Sequence, residues 1–172
     1  MGILSTARLL AISPTTLLKR IKSIAAKITQ PVVSIGKTYE VDEIRTFYKK
    51  KEKLIWIVYA LEKESKKVVS FNVGARTNKT LSKVLETVNF SNPKKIYTDK
   101  LINYKSLINK KIHNTKNRAT NHIEHMNLTL RIHLKRLNRR SLAFSRCVVV
   151  LAAVLKIYFW DEITKRYGRT KG

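Results

Sequence analysis

The sequence is poor in cysteine, in acidic residues and in long apolar runs, and each shortage removes a class of protein. Among 172 residues there is one cysteine, Cys147, which excludes a disulfide framework and any zinc site built from several cysteines. The longest apolar run, Cys147 to Leu155, is bounded by Arg146 and Lys156 and is too short to span a bilayer. The first residues lack the basic, apolar, small-residue order of a secretory signal. Asp and Glu number 11 against 36 Lys and Arg, a formal net charge of +25. A 44% apolar fraction can pack a core, so the charge does not belong to a disordered tail. Charge of this size repels itself in a compact body unless a polyanion neutralises it. Nucleic acid is the first partner to expect, and an anionic membrane surface the second. The length fits about one domain of ~100–200 residues with a small appendage. The expectation is a soluble, intracellular, basic globular protein.

Organisation follows from periodicity. Composition shifts near Gln30-Pro31, with a helical pattern before it and β-branched and aromatic runs after it. Residues 5 to 28 read as helix, turn, helix: Ser5 as a cap of a short helix through Leu10, then Ser13 as N-cap with Pro14 in the first turn. Leu17, Ile21, Ile24 and Ile28 form one apolar face, leaving Thr15, Thr16, Lys19, Arg20 and Lys22 largely off it. A helix-turn-helix presents such residues to the major groove, and an ordinary helical hairpin with a solvated basic face has the same pattern. From Lys37 the chain reads as strands: Lys37 to Ile44, a Lys-rich turn at Lys49 to Lys53, Leu54 to Leu61, a turn at Glu62 to Lys67, and Val68 to Val73. Short turns between successive strands imply an antiparallel meander. Thr77 to Val88 predicts a helix, Lys95 to Thr98 a short strand, Asn121 to Leu137 a long helix and Ser141 to Thr164 a last apolar helix. Cys147, in that apolar run, is expected to be a buried small hydrophobe.

Because acids are scarce, their positions carry information. Between Thr87 and Trp160 only Asp99 and Glu124 occur, in a window with 15 Lys and Arg. An isolated carboxylate on a phosphate-binding surface weakens binding, so its presence points to a metal ligand, an ion pair or a cap. Asp99 follows a predicted strand, where Asp often caps the next segment, and Glu124 falls in a first helical turn, where it complements the helix dipole. Asp42 lies towards the end of the first strand, and alternation puts Glu40 and Asp42 on one face, Val41 and Glu43 on the other. Carboxylates from a first strand, a later strand end and a late helix can converge on two divalent cations. Phosphoryl transfer uses such a pair, roughly 3.5–4 Å apart, and hard cations prefer oxygen ligands.

Three stretches then match a known pattern in order: Tyr39-Glu40-Val41-Asp42-Glu43, Tyr97-Thr98-Asp99, and Ile123-Glu124-His125-Met126-Asn127-Leu128-Thr129-Leu130-Arg131. Together they resemble the transposases of the insertion-sequence-one family of bacterial mobile elements. Lys135-Arg136-Leu137 and Phe144-Ser145-Arg146 are similar to the same family's following segments, and the gap of 24 residues between Asp99 and Glu124 also fits it. The resemblance runs from about Gly2 to Arg146. It implies an α/β fold, a ribonuclease-H-like mixed sheet flanked by helices over residues 31–172, behind an N-terminal helix-turn-helix over residues 1–30. It also implies an Asp-Asp-Glu site of Asp42, Asp99 and Glu124 holding two Mg²⁺ or Mn²⁺ ions. The implied reaction is hydrolysis at a transposon end, followed by attack of the freed 3′-hydroxyl on target DNA. The implied partner is double-stranded DNA, bound by a homodimer or larger assembly, in the cytoplasm at the nucleoid and with no membrane role.

On the third helix Glu124, Leu128, Arg131 and Lys135 share a face, which would set bases one and two turns beyond a metal-binding acid. Arg131, Lys135, Arg136 and Arg139 join Thr15, Thr16, Lys19 and Arg20 as candidate DNA contacts. His122, His125 and His133 lack zinc-ligand spacing and read as phosphate-contacting or solvated, with His122 a candidate for the site's rim. The sequence departs from the family at Arg45 and Leu101, where tryptophan is usual, and at His125, where arginine is common. It also has no counterpart of the family's N-terminal cysteine module. Those departures admit a second class, a truncated and catalytically inactive DNA-binding protein or repressor. A basic structural protein of a ribonucleoprotein is a third, but it would need no carboxylate triad.

Overall fold

A computed structural model describes residues 2–115, 120–138 and 145–161. The chain divides into two compact units, one of Met1–Gln30 with Ser145–Gly172 and the other of Pro31–Phe144. No helix among the described residues is long and apolar enough to cross a membrane.

In the first unit, helix α1 (Ile3–Leu9) and helix α2 (Pro14–Lys27) are joined by a short turn through Ala11, which takes a left-handed φ of 49°. Ser13 caps α2 as expected: its Oγ accepts from the Thr16 N–H at 3.0 Å, and Pro14 occupies the first turn. Helix α1 begins at Ile3, so Ser5 lies inside it and is not its cap. The buried face of α2 runs through Leu17 and Ala25, whereas Ile24 is 49% exposed. Ala25, at the four-residue spacing from Ile21, takes the inward place that the apolar reading gave to Ile24.

The last described helix, α6 (Val148–Trp160), groups with α2 rather than with the second unit to which the sequence reading assigned it. Apart from Lys156 its residues are apolar or aromatic, so no polar stripe discloses which neighbour it packs on. The expected span from Ser141 to Thr164 extends past both ends of α6 into residues that lie outside the described set. Cys147 is exposed rather than buried, because it precedes the helix as its N-cap.

The second unit is a mixed α/β body on a five-stranded sheet of order β3-β2-β1-β4-β5. Strands β1 (Thr38–Tyr48), β2 (Lys50–Glu62) and β3 (Val68–Gly74) form the expected antiparallel meander. The Lys-rich stretch read as a turn narrows to one residue, Lys49, at a left-handed φ of 62°, and β2 resumes at Lys50. Strands β4 (Lys95–Thr98) and β5 (His113–Asn114) continue the sheet in parallel beside β1.

Helix α3 (Asn78–Asn89) buries Leu81, Val84, Leu85 and Val88 in a core with Tyr39, Val41, Val58, Ala60 and Val69. Strand alternation sends Glu40, Asp42 and Ile44 to the opposite face, which meets helix α5 (Asn121–His133). The short helix α4 (Ile102–Leu107) and β5 have no clear periodicity in so few residues and were not foreseen. Helix α5 ends at His133 instead of Leu137, and a separate 3₁₀ turn, Lys135–Leu137, follows the break at Leu134. Leu130 and Leu137 are buried on both sides of that break, so the apolar period runs through it and hides it.

Candidate active site

The site is built where β1 outruns its parallel neighbour. The β1–β4 register pairs Thr38 with Lys95 and ends at Val41 beside Thr98. The next residues on the two strands are Asp42 and Asp99. Past that point, among the described residues, no strand continues β4 beside β1, and side chains from both faces of β1 reach the gap. One carboxylate oxygen each from Asp42, Glu43 and Asp99 lies within 4.8 Å of the others.

Each acid is held differently. Asp42 Oδ1 accepts from the Glu43 N–H at 2.7 Å and its Oδ2 accepts from Asn127 Nδ2 at 2.6 Å. Asp99 Oδ1 accepts from the Leu101 N–H at 3.0 Å, an Asx turn that starts the approach to α4, so the capping role is present as well. Glu43 Oε1 accepts from Arg76 Nε at 3.3 Å, and that guanidinium stacks over the Trp56 ring at 4.4 Å. Glu124 stands in the first turn of α5 with its Oε1 accepting from the Thr120 hydroxyl at 2.8 Å. It is outside the three-acid cluster but near enough that its charge acts on Asp42.

Crowding of negative charge in a partly buried place shifts these groups. Burial raises the Asp42 pKa, opposed by the two hydrogen bonds, with Asp99 and Glu124 adding to the rise. Glu43 is pushed up to about 7 by burial and by the charge of Asp99, against the pull of Arg76. The Tyr104 hydroxyl is fully buried and has no hydrogen-bond partner among the described residues. Its pKa is driven well up by burial and then by Glu43, Asp42 and Asp99.

Glu43 was not singled out from the sequence, because alternation sets it on the face away from Asp42. The signal that could have found it is the end of β4, where facing no longer separates neighbours. Asn127 was also missed, although it falls between Ile123 and Leu130 in the buried stripe of α5. A polar residue at a core position needs a partner, and that was readable.

The histidine expectations resolve unevenly. His122 Nδ1 meets Glu40 Oε1 at 2.8 Å, so it is committed to a buried carboxylate rather than to the rim, while His125 and His133 are exposed. Among the candidate DNA contacts Thr15, Lys19 and Arg20 are exposed on α2, and the Thr16 hydroxyl is engaged with Ser13 Oγ at 2.8 Å. Arg131 is half-buried on α5. Lys135 is exposed but stands in the 3₁₀ turn, so the expected helical alignment with Glu124 stops short of it. Arg136 is half-buried, which lowers its pKa, and Arg139 lies outside the described residues.

Comparison with known proteins gives the family. The family described as IS1 transposase matches residues 36–165. The insertion element IS1 4 protein InsB of Escherichia coli (strain K12) is 33% identical over 139 residues, 81% of this chain and 83% of that one. The IS1 9 protein InsB of the same organism is 33% identical over 145 residues, covering 83% of this chain and 86% of that one. Among solved structures, a chain of the simian T-cell lymphotropic virus intasome in complex with PP2A regulatory subunit B56 gamma shares the fold at a TM-score of 0.50 and 18% identity. That match covers 91% of this chain, which spans 64% of the viral one. The chain belongs to the IS1 transposase family.

Proposed function

We propose that this DNA transposase works through an Asp-Asp-Glu site on a ribonuclease-H-like sheet, with Asp42, Asp99 and Glu124 holding a pair of Mg²⁺ or Mn²⁺ ions. The observation that carries the reading is the approach of Asp42, within β1, and Asp99, just past the end of the adjacent parallel strand β4, within 4.8 Å and joined by Glu43. The donors fit hard divalent cations, being carboxylate oxygens, and the buried Tyr104 hydroxyl, unpartnered among the described residues, feels the charge of the same acids. Ions of this kind, when bound, assist the attacking oxygen and stabilise the leaving one in phosphoryl transfer.

The chain's own residues supply position. Asp42 offers an oxygen from within β1 and Asp99 one from just past β4, their relative place set by the β1–β4 register. Arg76 pairs with Glu43 within the cluster, and Glu124 rides on a helix docked against β1. Basic residues of the same unit, Arg131, Lys135 and Arg136, are suited to phosphates of double-stranded DNA near the acids. The exposed Thr15, Lys19 and Arg20 on α2 are suited to a second DNA contact through a helix-turn-helix, with Thr16 placed beside them. Two copies or more on paired element ends would hold both ends for in-line attack by a 3′-hydroxyl, in the cytoplasm at the nucleoid.

The test is strand transfer from pre-nicked element ends in Mg²⁺ or Mn²⁺. Asp42→Asn, Asp99→Asn and Glu124→Gln should each lose more than about 100-fold, beyond what a supporting contact costs, while binding DNA without metal as well as the unmutated chain. Full activity in any of the three removes that residue from the site. No transfer by the unmutated chain leaves a folded DNA-binding protein.

A further inference from the structure

Two buried polar side chains, Tyr59 and Asn127, lead from the core to Asp42 and have no part in the reaction as drawn above. Tyr59 is the cross-strand neighbour of Asp42 in the β1–β2 pairing and is fully buried. Its hydroxyl donates to Asn127 Oδ1 at 2.7 Å and lies 3.2 Å from the Ile123 carbonyl oxygen. Asn127 is itself buried and passes a hydrogen bond from Nδ2 to Asp42 Oδ2 at 2.6 Å.

The direction of this chain is forced by chemistry. An ionised carboxylate only accepts, so the amide must turn its NH₂ to Asp42 and leave its oxygen for the tyrosine. A flipped amide would set two acceptors against each other. The Glu43 N–H already holds Asp42 Oδ1 at 2.7 Å. With one donor on each oxygen, the carboxylate plane is pinned, and each oxygen keeps a further lone pair for another ligand. Leucine or another apolar residue would pack better at this place on α5, between Ile123 and Leu130, if docking the helix were the only task.

We propose that Asn127, locked by Tyr59, is a positioning residue that orients Asp42 for its cation. The inference rests on the reading of Asp42 as a metal ligand. Partners of this kind, behind the ligands themselves, are known to change metal affinity by about 10–100-fold when removed.

The experiment is a calorimetric titration of MnCl₂ alone into five proteins, each the full chain: unmutated, Asp42→Asn, Asn127→Leu, Tyr59→Phe and Leu130→Ala. The last loosens the packing of α5 beyond Asn127, away from Glu124 and Asp42, and serves as the structural control. Mn²⁺ affinity should fall about 10–100-fold in Asn127→Leu and less in Tyr59→Phe, with Leu130→Ala close to the unmutated protein. Strand transfer should follow, as a raised Mn²⁺ requirement with much of the maximal rate recovered at saturating ion. Should Asn127→Leu fail to fold, Tyr59→Phe decides alone, since it removes one oxygen and keeps the ring. Affinities within twofold of the unmutated value in both variants, with Asp42→Asn abolishing binding, would reduce Asn127 to a docking contact. No difference between Asp42→Asn and the unmutated chain would overturn the ligand reading, and this inference with it.

Discussion

Glu40 and Asp42 stand two residues apart on the same face of β1, and their surroundings are opposite in kind. Glu40 is 0% exposed and compensated from three directions. Its Oε2 accepts from the Ile123 N–H at 2.8 Å, His122 Nδ1 meets its Oε1 at 2.8 Å, and Lys63 Nζ is 3.8 Å away. Lys63 also lies over the Tyr97 ring at 4.5 Å, which fixes its ammonium near the carboxylate. Asp42 has two neutral donors and no ion pair among the described residues, and it faces two further acids. One carboxylate is arranged to be stable as it stands, the other to be short of positive charge. In a chain with 36 basic residues that shortage is not for want of cations. Local choices that oppose stability are commonest where a fold serves chemistry.

Removing charge at each place and melting the metal-free protein should give opposite results. Glu40→Gln should cost about 3 kcal/mol, because a buried, charge-assisted contact to the start of α5 is weakened and its partners lose their anion. Urea unfolding measures it, and a loss below about 1 kcal/mol would make Glu40 an ordinary surface-grade contact. Asp99→Asn should do the reverse. Asparagine keeps an oxygen for the Leu101 N–H and removes one of the repelling charges, so stability without metal should hold or rise by less than about 1 kcal/mol. The same variant should lose the stabilisation that saturating Mn²⁺ gives the unmutated chain, about 2.7 kcal/mol at a hundredfold excess over the dissociation constant. A marked loss of metal-free stability in Asp99→Asn would instead assign Asp99 to capping.

How much of this was legible in the sequence varied with the kind of information. The strand at Lys95 to Thr98 and the cap of α2 at Ser13 rest on local chemistry, and both are where the residues indicate. The order of the sheet is not local. Nothing in β1 itself says that β4 lies beside it in parallel, so the meeting of Asp42 with Asp99 had to be taken from the family resemblance. Alternation placed Glu43 correctly, opposite Asp42, but did not disclose that its carboxylate still reaches Asp42 and Asp99 where β1 loses one neighbour after Val41. Asn127 was overlooked because polar residues on helices are usually solvated, whereas here the residue fills a core position and finds Asp42. Helix α6 shows the opposite failure, being so uniformly apolar that its partner cannot be inferred from its pattern.

A smaller effect is expected at the edge of the same site. His113 is on β5, paired beside Ile96 of β4, and its Nε2 lies 2.8 Å from Thr98 Oγ1. Thr98 donates its one hydroxyl proton to the Asp99 carbonyl oxygen at 2.8 Å, so the ring must donate from Nε2. Burial, and then the charge of Lys105, lowers the His113 pKa from its usual 6.5. The fold therefore favours the neutral ring. Stability from this group is complete above the unfolded pKa near 6.5 and is lost as the pH falls through the folded value. Acidification from neutral pH towards pH 5 should lower the melting temperature of the unmutated chain more than that of His113→Gln. The difference should be a few degrees at most, since the ring is only partly buried. Equal slopes in the two proteins would mean that β5 holds its edge without regard to the charge on His113. Asp99 would then take its position from the Leu101 turn alone.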